Sequence, residues 1–493
     1  MQNHEPKSRI YIIGAGFAGQ TIAREIKAKG ILGQVVAFLD DDPKKIGTRI
    51  EDIPVLGPIQ DVVQLLRQTP ADEALIALPN ASREKLKEIY SLLKRAGFTK
   101  IRILPSISQI LDGDAHLILT RQIHPEDLLT RTPVSINLTK SLEYLRGKRV
   151  LITGAGGSIG SELARQLLSG GAERLYLFGH GENSIYEIDH ELRILQEEGV
   201  GEKATIVPVI GDLQDRDYMM FILKRLRADV VFHCAAYKHV PMMEANPVAA
   251  IRNNVFGTKN LVEAALEAGT MRFVFISTDK TVEPISIYGA SKKLAEEIVL
   301  QADGNARAFL VVRFGNVLGS RGSIVPLFRN QILKGGPVTV TDPRASRFFM
   351  TIPEAASLVL NAGGVGEGGA LYVLDMGEPL LIRDLAEQMI RFYGFEPEKE
   401  IPIVTIGLRK GEKLTESLWE PTETIKPTGY PKINRILRNG QKRIEVKQIL
   451  QKLEPICFFN PSYPEYYRNR RKLRLVLREA IPTLDIPPDE PEY

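Results

Sequence analysis

Cysteine is nearly absent from this chain: only Cys234 and Cys457 occur among 493 residues. Two cysteines cannot build a disulfide framework or an all-cysteine zinc site, so a reducing compartment fits and no metal site is expected. No run of about 20 apolar residues is present, so no membrane span is expected. The opening MQNHEPKSRI lacks the apolar core of a signal peptide. Neither sign of charge dominates: 64 Lys and Arg stand against 60 Asp and Glu, for a net charge of +4, which gives no argument for nucleic acid. The expected address is the cytoplasm.

What remains is ordinary for a soluble globular protein, with 44% hydrophobic and 25% charged residues, enough to bury a large core. The length exceeds one ordinary domain and predicts two α/β domains with an appendage. Residues 9–19 read as strand, glycine turn and helix, with Gly14, Gly16 and Gly19 in the turn. Asp40 ends the next strand, VVAFLD, about 20 residues on, where an acid reaches a ribose hydroxyl in dinucleotide-binding turns. Further short strands fall at 73–78 and 100–104. Residues 1–120 thus read as one domain and the polar stretch 121–147 as a linker.

A second α/β domain begins at KRVLIT (148–153) and continues through RLYLF, TIVPVIGD, DVVFHCAA, RFVFIST and FLVVRFGN. Near-continuous apolar strands alternating with helical patterns predict a buried parallel sheet. After residue 320 the alternation breaks into shorter units. The predicted fold is α/β: two Rossmann-like, doubly wound parallel-sheet domains, the second (148–440) carrying a smaller C-terminal substrate-binding lobe. Residues 441–493 form a separate extension. Six cations interleave with apolar residues at 466–479, compatible either with a helix packed on the body or with weak docking on an anionic membrane. The Pro-rich, acidic residues 481–493 read as poorly ordered.

Two motifs carry the chemistry. Gly154, Gly157 and Gly160 follow a strand and open a helix, whose first backbone N–H groups, around Ser158 and Ile159, can hold a pyrophosphate. The next strand ends at Gly179 without the usual acid, leaving His180, Glu182 or Asn183 to reach the adenosine ribose, so NAD and NADP both stay open. Asp212 is placed either to contact adenine or to cap a helix. The second motif is Thr278-Asp279-Lys280 with Tyr288 and Lys292. Tyr288 and Lys292 stand four apart on a helix and share a face. Using the tyrosine as a base near neutrality requires lowering its pKa by roughly 3 units, which a lysine ammonium and a cationic nicotinamide can supply. Asp279 and Lys280 add an acid and, given a depressed lysine pKa, a base. With C4 of a hexose oxidised, Lys280 can take the C5 proton and Asp279 can protonate the departing C6 hydroxyl. One tightly held cofactor is then regenerated within the cycle.

These segments resemble the extended short-chain dehydrogenase/reductase superfamily. Within it they are most similar to the polysaccharide-biosynthesis UDP-N-acetylglucosamine 4,6-dehydratases of the large capsular type. The resemblance rests on VLITGAGGSIGSELARQL (150–167), VVFHCAAYKHVPMMEANP (230–247), FISTDKTVEPISIYGASKKLAE (275–296), VRFGNVLGSRGSIVPLF (312–328) and VTVTDPRASRFFMTIPEA (338–355), and spans roughly residues 9–435. It implies a hydro-lyase using NAD, or NADP, on a UDP-sugar in glycan synthesis, working as a homo-oligomer. Thr278 then orients the C4 hydroxyl, and Tyr288 with Lys292 oxidises C4. Leu213, Ala235 and Ala236 join the cofactor site. Lys238, Asn254, Asn316, Arg321, Arg347, Arg409 and Glu412 join the substrate site. Many large members carry Met where this chain has Tyr288. The alternatives are a C4 epimerase on the same substrate, which leaves Asp279 and Lys280 without chemistry, and a non-catalytic NAD-binding regulator. For the first domain the expectation is a nucleotide-containing ligand on Gly14, Gly16, Gly19 and Asp40, with no redox chemistry.

Overall fold

The computed structural model describes residues 8–29, 33–78, 81, 83–98, 100–103, 121–122, 142–197, 199–201, 203–302, 307–393, 395–438 and 443–492. The chain divides into two compact units, 1–137 and 138–493. Of the expected linker at 121–147, residues 123–141 lie outside the described residues.

In the first unit, β1 (Arg9–Ile13) leads through the glycine turn into α1 (Phe17–Lys29) and β2 (Gln34–Leu39). A short hairpin, β3 (Arg49–Ile50) and β4 (Ile53–Gly57), extends the edge beside β2. Then follow α2 (Val62–Gln68), β5 (Glu73–Ile76), α3 (Arg83–Ala96), β6 (Lys100–Ile103) and β7 (Arg121–Gln122). The strand order is β3-β4-β2-β1-β5-β6-β7, with β2, β1, β5 and β6 mutually parallel. Ile10, Ile12, Phe38 and Leu75 are buried at its centre with Ile22 and Ile26 of α1.

The second unit runs β8 (Arg149–Thr153), α4 (Ser158–Ser169), β9 (Arg174–Gly179), α5 (Glu182–Glu197), β10 (Thr205–Ile210), α6 (Arg216–Leu226) and β11 (Val230–His233). It continues with α7 (Gly257–Glu267), β12 (Arg272–Thr278), α8 (Ile287–Gln301), β13 (Ala308–Phe314), α9 (Ile352–Val365) and β14 (Leu371–Leu374). The antiparallel strands β15 (Glu423–Pro427) and β16 (Ile433–Arg438) complete the sheet. The order β10-β9-β8-β11-β12-β13-β14-β16-β15 is parallel from β10 to β14. It reverses direction of growth between β8 and β11, the crevice where such sheets bind dinucleotides. The expected α/β doubly wound class is borne out. The central strands are apolar along their length because helices cover both faces; Phe273 and Phe309 lie fully buried with ring centroids 5.2 Å apart. The lobe contains short strand pairs: Asn316–Val317 with Phe349–Met350, Val338–Val340 with Ile403–Thr405, and Ser346–Arg347 with Leu380–Leu381.

The extension decides between the two readings of the basic segment, in favour of a helix packed on the body, and corrects the expectation of a poorly ordered tail. Helices α10 (Val446–Cys457) and α11 (Arg470–Ala480) pack on this unit. Leu473, Val476 and Leu477 are buried, as is Arg474. The apolar face proposed for membrane docking is therefore consumed in packing, and only Leu475 of that set is exposed. The acidic tail is not loose either: Ile481, Leu484 and Glu490 are buried, Glu490 because it pairs with Arg470 and Arg474. Among the described residues no helix is long and apolar enough to cross a membrane.

Candidate active site

The glycine turn between β8 and α4 is shaped for close approach. Gly154 has φ +66°, and a Cβ there would stand 2.8 Å from the Ala235 backbone. A Cβ at Gly160 would lie 2.3 Å from the Gly154 carbonyl oxygen. Gly157, extended, precedes Ser158 and Ile159 in the first turn of α4, whose N–H groups have no intrahelical acceptor. This bare backbone cradle at the sheet's switch point fits a dinucleotide pyrophosphate. Ala235 and Ala236 follow β11 against the turn, and Leu213 is buried under Gly257. His180 and Glu182 are exposed at the end of β9, the His180 ring edge-on to Tyr237. Asp212 accepts from the Gln214 N–H, and the capping residue of α6 is Asp215, which accepts from the Tyr218 N–H.

The reactive groups gather where β12 ends. Thr278 closes the strand, and a tight turn, Asp279–Thr281, leads toward α8. Thr278 Oγ1 donates to Asp279 Oδ1 at 2.8 Å and accepts from the Lys280 N–H. Lys280 Nζ lies 2.9 Å from the same Oδ1, donates to Asn316 Oδ1 at 3.2 Å, and stands 3.7 Å from Glu416 Oε1. Asp279 is fully buried, and its Oδ2 has no hydrogen-bond partner among the described residues; the same holds for the buried Oε2 of Glu416. Helix α8 is capped by Ser286 Oγ and pressed onto the turn at Gly289, where a Cβ would meet the Lys280 carbonyl oxygen at 2.3 Å. That contact fixes the start of α8, with Tyr288 buried, against the turn.

Electrostatics distinguishes the two lysines. Burial alone would lower the pKa of Lys280, but Asp279 and Glu416 outweigh it and hold the ammonium above its ordinary value. The depressed base pKa expected for Lys280 is therefore not found. Burial pushes Tyr288 up to about 12, partly offset by Lys280. Lys292 donates to the Ile276 carbonyl at 2.6 Å, lies 3.9 Å from the Phe275 ring centroid, and is brought down to about 7 by burial. Glu416 is raised by burial and by Asp279 against the pull of Lys280.

Of the expected substrate residues, only Asn316 joins this cluster directly. Asn254 is spent on structure: its amide exchanges bonds with both backbone groups of Tyr237 and donates to Ser291 Oγ. Arg347 donates to the carbonyls of Ser346, Lys413 and Leu414, holding the 407–414 segment. Arg409 and Glu412 pair with each other, and Lys238 is exposed. Arg321 lies against the glycine turn, donating to the Gly156 carbonyl and to Glu187. Glu416 was missed in the sequence. Glu412, Glu416 and Glu420 recur every fourth residue, and only the tertiary contact with Lys280 singles out the middle one.

In the first unit, Gly14 has φ +103° and a Cβ at Gly19 would lie 2.0 Å from the Gly14 carbonyl oxygen, whereas Gly16 faces open space. Asp40 does not reach outward as expected. It accepts from the Ala15 and Asp42 N–H groups and from Lys45 Nζ, bracing the turn from behind.

Comparison with known proteins agrees with this geometry. Residues 150–438 match the profile of a family described as polysaccharide biosynthesis protein, and residues 1–105 match that of a CoA-binding domain. The chain is 41% identical over 457 residues to the capsular polysaccharide biosynthesis protein CapD of Staphylococcus aureus, covering 92% of this chain and 75% of that one. It is 32% identical over 275 residues to a UDP-N-acetylglucosamine 4,6-dehydratase (inverting) of Campylobacter jejuni, covering 55% and 77%. A UDP-glucose 4-epimerase of Rickettsia rickettsii is 30% identical over 351 residues, covering 70% and 98%. Among solved structures, Pen from Bacillus thuringiensis aligns with a TM-score of 0.54 at 33% identity, over 61% of this chain and 92% of that one. With more than half of its length matched by one profile, the chain belongs to the polysaccharide biosynthesis protein family, within the short-chain dehydrogenase/reductase enzymes.

Proposed function

We propose that this protein is a nucleotide-sugar 4,6-dehydratase acting on UDP-N-acetylglucosamine with NAD. The observation that carries this reading is the Asp279–Lys280–Glu416 cluster beside Thr278 and Tyr288. Oxidising an alcohol requires only Thr278, Tyr288 and a dinucleotide. A second acid and a base, dry and adjacent, are surplus to oxidation or C4 epimerisation and are what an elimination requires.

The dinucleotide is held by Gly154, Gly157, Ser158, Ile159 and Gly160, and when bound it accepts and returns hydride. Once its own phenolic proton has passed to solvent, the Tyr288 oxygen, buried beside Lys280, takes the C4 hydroxyl proton. Lys280 begins as an ammonium between two carboxylates. Shifting one proton from its Nζ to a carboxylate leaves a neutral amine beside a carboxylic acid. Burial favours that neutral pair and Coulomb attraction favours the charged one, so the two lie close enough to exchange. The amine then takes the proton from C5, the acid protonates the C6 hydroxyl, and water departs. Asn316, bonded to Nζ, keeps the amine aimed.

Incubation with UDP-N-acetylglucosamine, followed by mass spectrometry, tests the assignment. Loss of one water supports it; an isomer of unchanged mass supports an epimerase, and no product supports a nucleotide-binding regulator. The first unit, on this reading, holds a nucleotide-containing ligand of the coenzyme A or dinucleotide type at Gly14 and Gly16. Calorimetry of the full chain against coenzyme A, with the α4 turn saturated by NAD, tests that assignment.

A further inference from the structure

The family's profile ends at residue 438, yet the residues beyond it reach the catalytic helix. Arg474, from α11, donates to Glu244 Oε2 at 2.7 Å. The other oxygen of Glu244 accepts from the Ile287 N–H at 2.7 Å, one residue before Tyr288. Glu490, near the end of the chain, has a fully buried side chain. Its carboxylate lies 2.9 Å from Arg470, 3.0 Å from Arg474 and 3.3 Å from Lys410. Lys410 belongs to the 407–413 segment, and its neighbour Gly411, at φ +79°, is so close to the helix start that a Cβ would meet Ser286 Cβ at 2.9 Å and Glu244 Cδ at 3.2 Å. Thr483 also donates to the Pro284 carbonyl at 2.9 Å.

Glu490 therefore joins three segments: the extension, the 407–413 segment and, through Arg474 and Glu244, the first turn of α8. A charge network this dry is weak evidence for stability, because desolvation opposes it, but it fixes geometry, since removing one partner leaves an uncompensated buried charge. We infer that the C-terminal segment is a latch, with Glu490 and Arg474 as positioning residues that hold the 407–413 segment and the Tyr288 helix in one arrangement for the nucleotide sugar.

Hydrogen exchange on the full chain tests this without depending on which reaction the enzyme performs. In Glu490→Gln, the Ile287, Gly289, Arg409 and Glu412 amides should exchange faster by about tenfold or more, while the amides of β12 stay protected. Glu479→Gln, which breaks only the surface pair with Lys452, should leave all of them unchanged. Should Glu490→Gln not fold, Lys410→Met removes one exposed arm of the latch and should speed exchange at Arg409 and Glu412. In turnover, the nucleotide-sugar KM should rise with bound cofactor unchanged. Faster exchange confined to residues 470–492, with KM unmoved, would overturn the inference and leave the extension a purely structural appendage.

Discussion

Lys280 Nζ lies 2.9 Å from Asp279 Oδ1, an oxygen that also accepts from Thr278. One carboxylate oxygen thus carries both local donors, and Oδ2 is left buried and unbonded. A buried acceptor without a partner is destabilising by about 1–3 kcal/mol, and such groups concentrate where a ligand supplies the missing bond.

The first prediction follows from that pair. Asp279→Asn and Lys280→Met should each lower dehydration by about 100-fold or more, the lower range for a lost acid–base group. The cofactor should remain bound, because neither residue touches the glycine turn. Wild-type dehydration by either variant removes that residue from the elimination.

Tyr288→Phe should lower turnover by at least about 100-fold, with nucleotide affinity preserved. Burial pushes the phenol up to about 12, so it begins neutral and must lose its own proton before it can accept the one from C4. A Phe variant with nearly normal turnover would mean that another group receives the C4 proton.

Glu416→Gln tests the residue absent from the sequence reading. The Glu416 charge helps hold Lys280 above its ordinary pKa, so removing that charge lowers the lysine. The alkaline limb of the pH–rate profile should move to lower pH, with kcat reduced. Lower thermal stability with an unmoved limb would make Glu416 structural only.

Beneath the site, Glu296 accepts from Ser277, Thr281 and Arg313 and is fully buried. Burial would raise its pKa, but Arg313 and its neighbours bring it from the ordinary 4.5 down to about 2. A depressed carboxylate contributes stability that is present above its unfolded pKa and lost as pH falls through its folded one. Acid titration of unfolding should therefore show roughly 3 kcal/mol lost between about pH 4.5 and 2, and Glu296→Gln should abolish that slope.

How much of this was legible depended on whether the signal was local. The glycine turns and the strands from β8 to β13 announce themselves because apolar runs and φ-positive glycines act within a few residues. The identity of the Thr278–Tyr288 set was legible for the same reason. The Lys292 contacts were not legible, because helical spacing gives a shared face but not the partner, and its amine bonds back to Ile276. The bonds of Arg347 to the Lys413 and Leu414 carbonyls and of Asn254 to Tyr237 join positions too far apart in sequence to be read from it. The tail was legible only in part: a helix packed on the body was one of two open readings, but Arg474 and Glu244 are 230 residues apart in sequence, and nothing within RRKLRLVLRE distinguishes a buried guanidinium from a solvated one.

The central claim, that Asp279 and Lys280 perform an elimination, is tested most directly by turning over UDP-N-acetylglucosamine in deuterated water and examining the product by mass spectrometry and NMR. The account predicts a product lighter by one water, with a C4 ketone, a C6 methyl group and deuterium at C5 delivered from Lys280. A product of unchanged elemental composition, with the C6 hydroxyl intact and the C4 centre inverted, would contradict it.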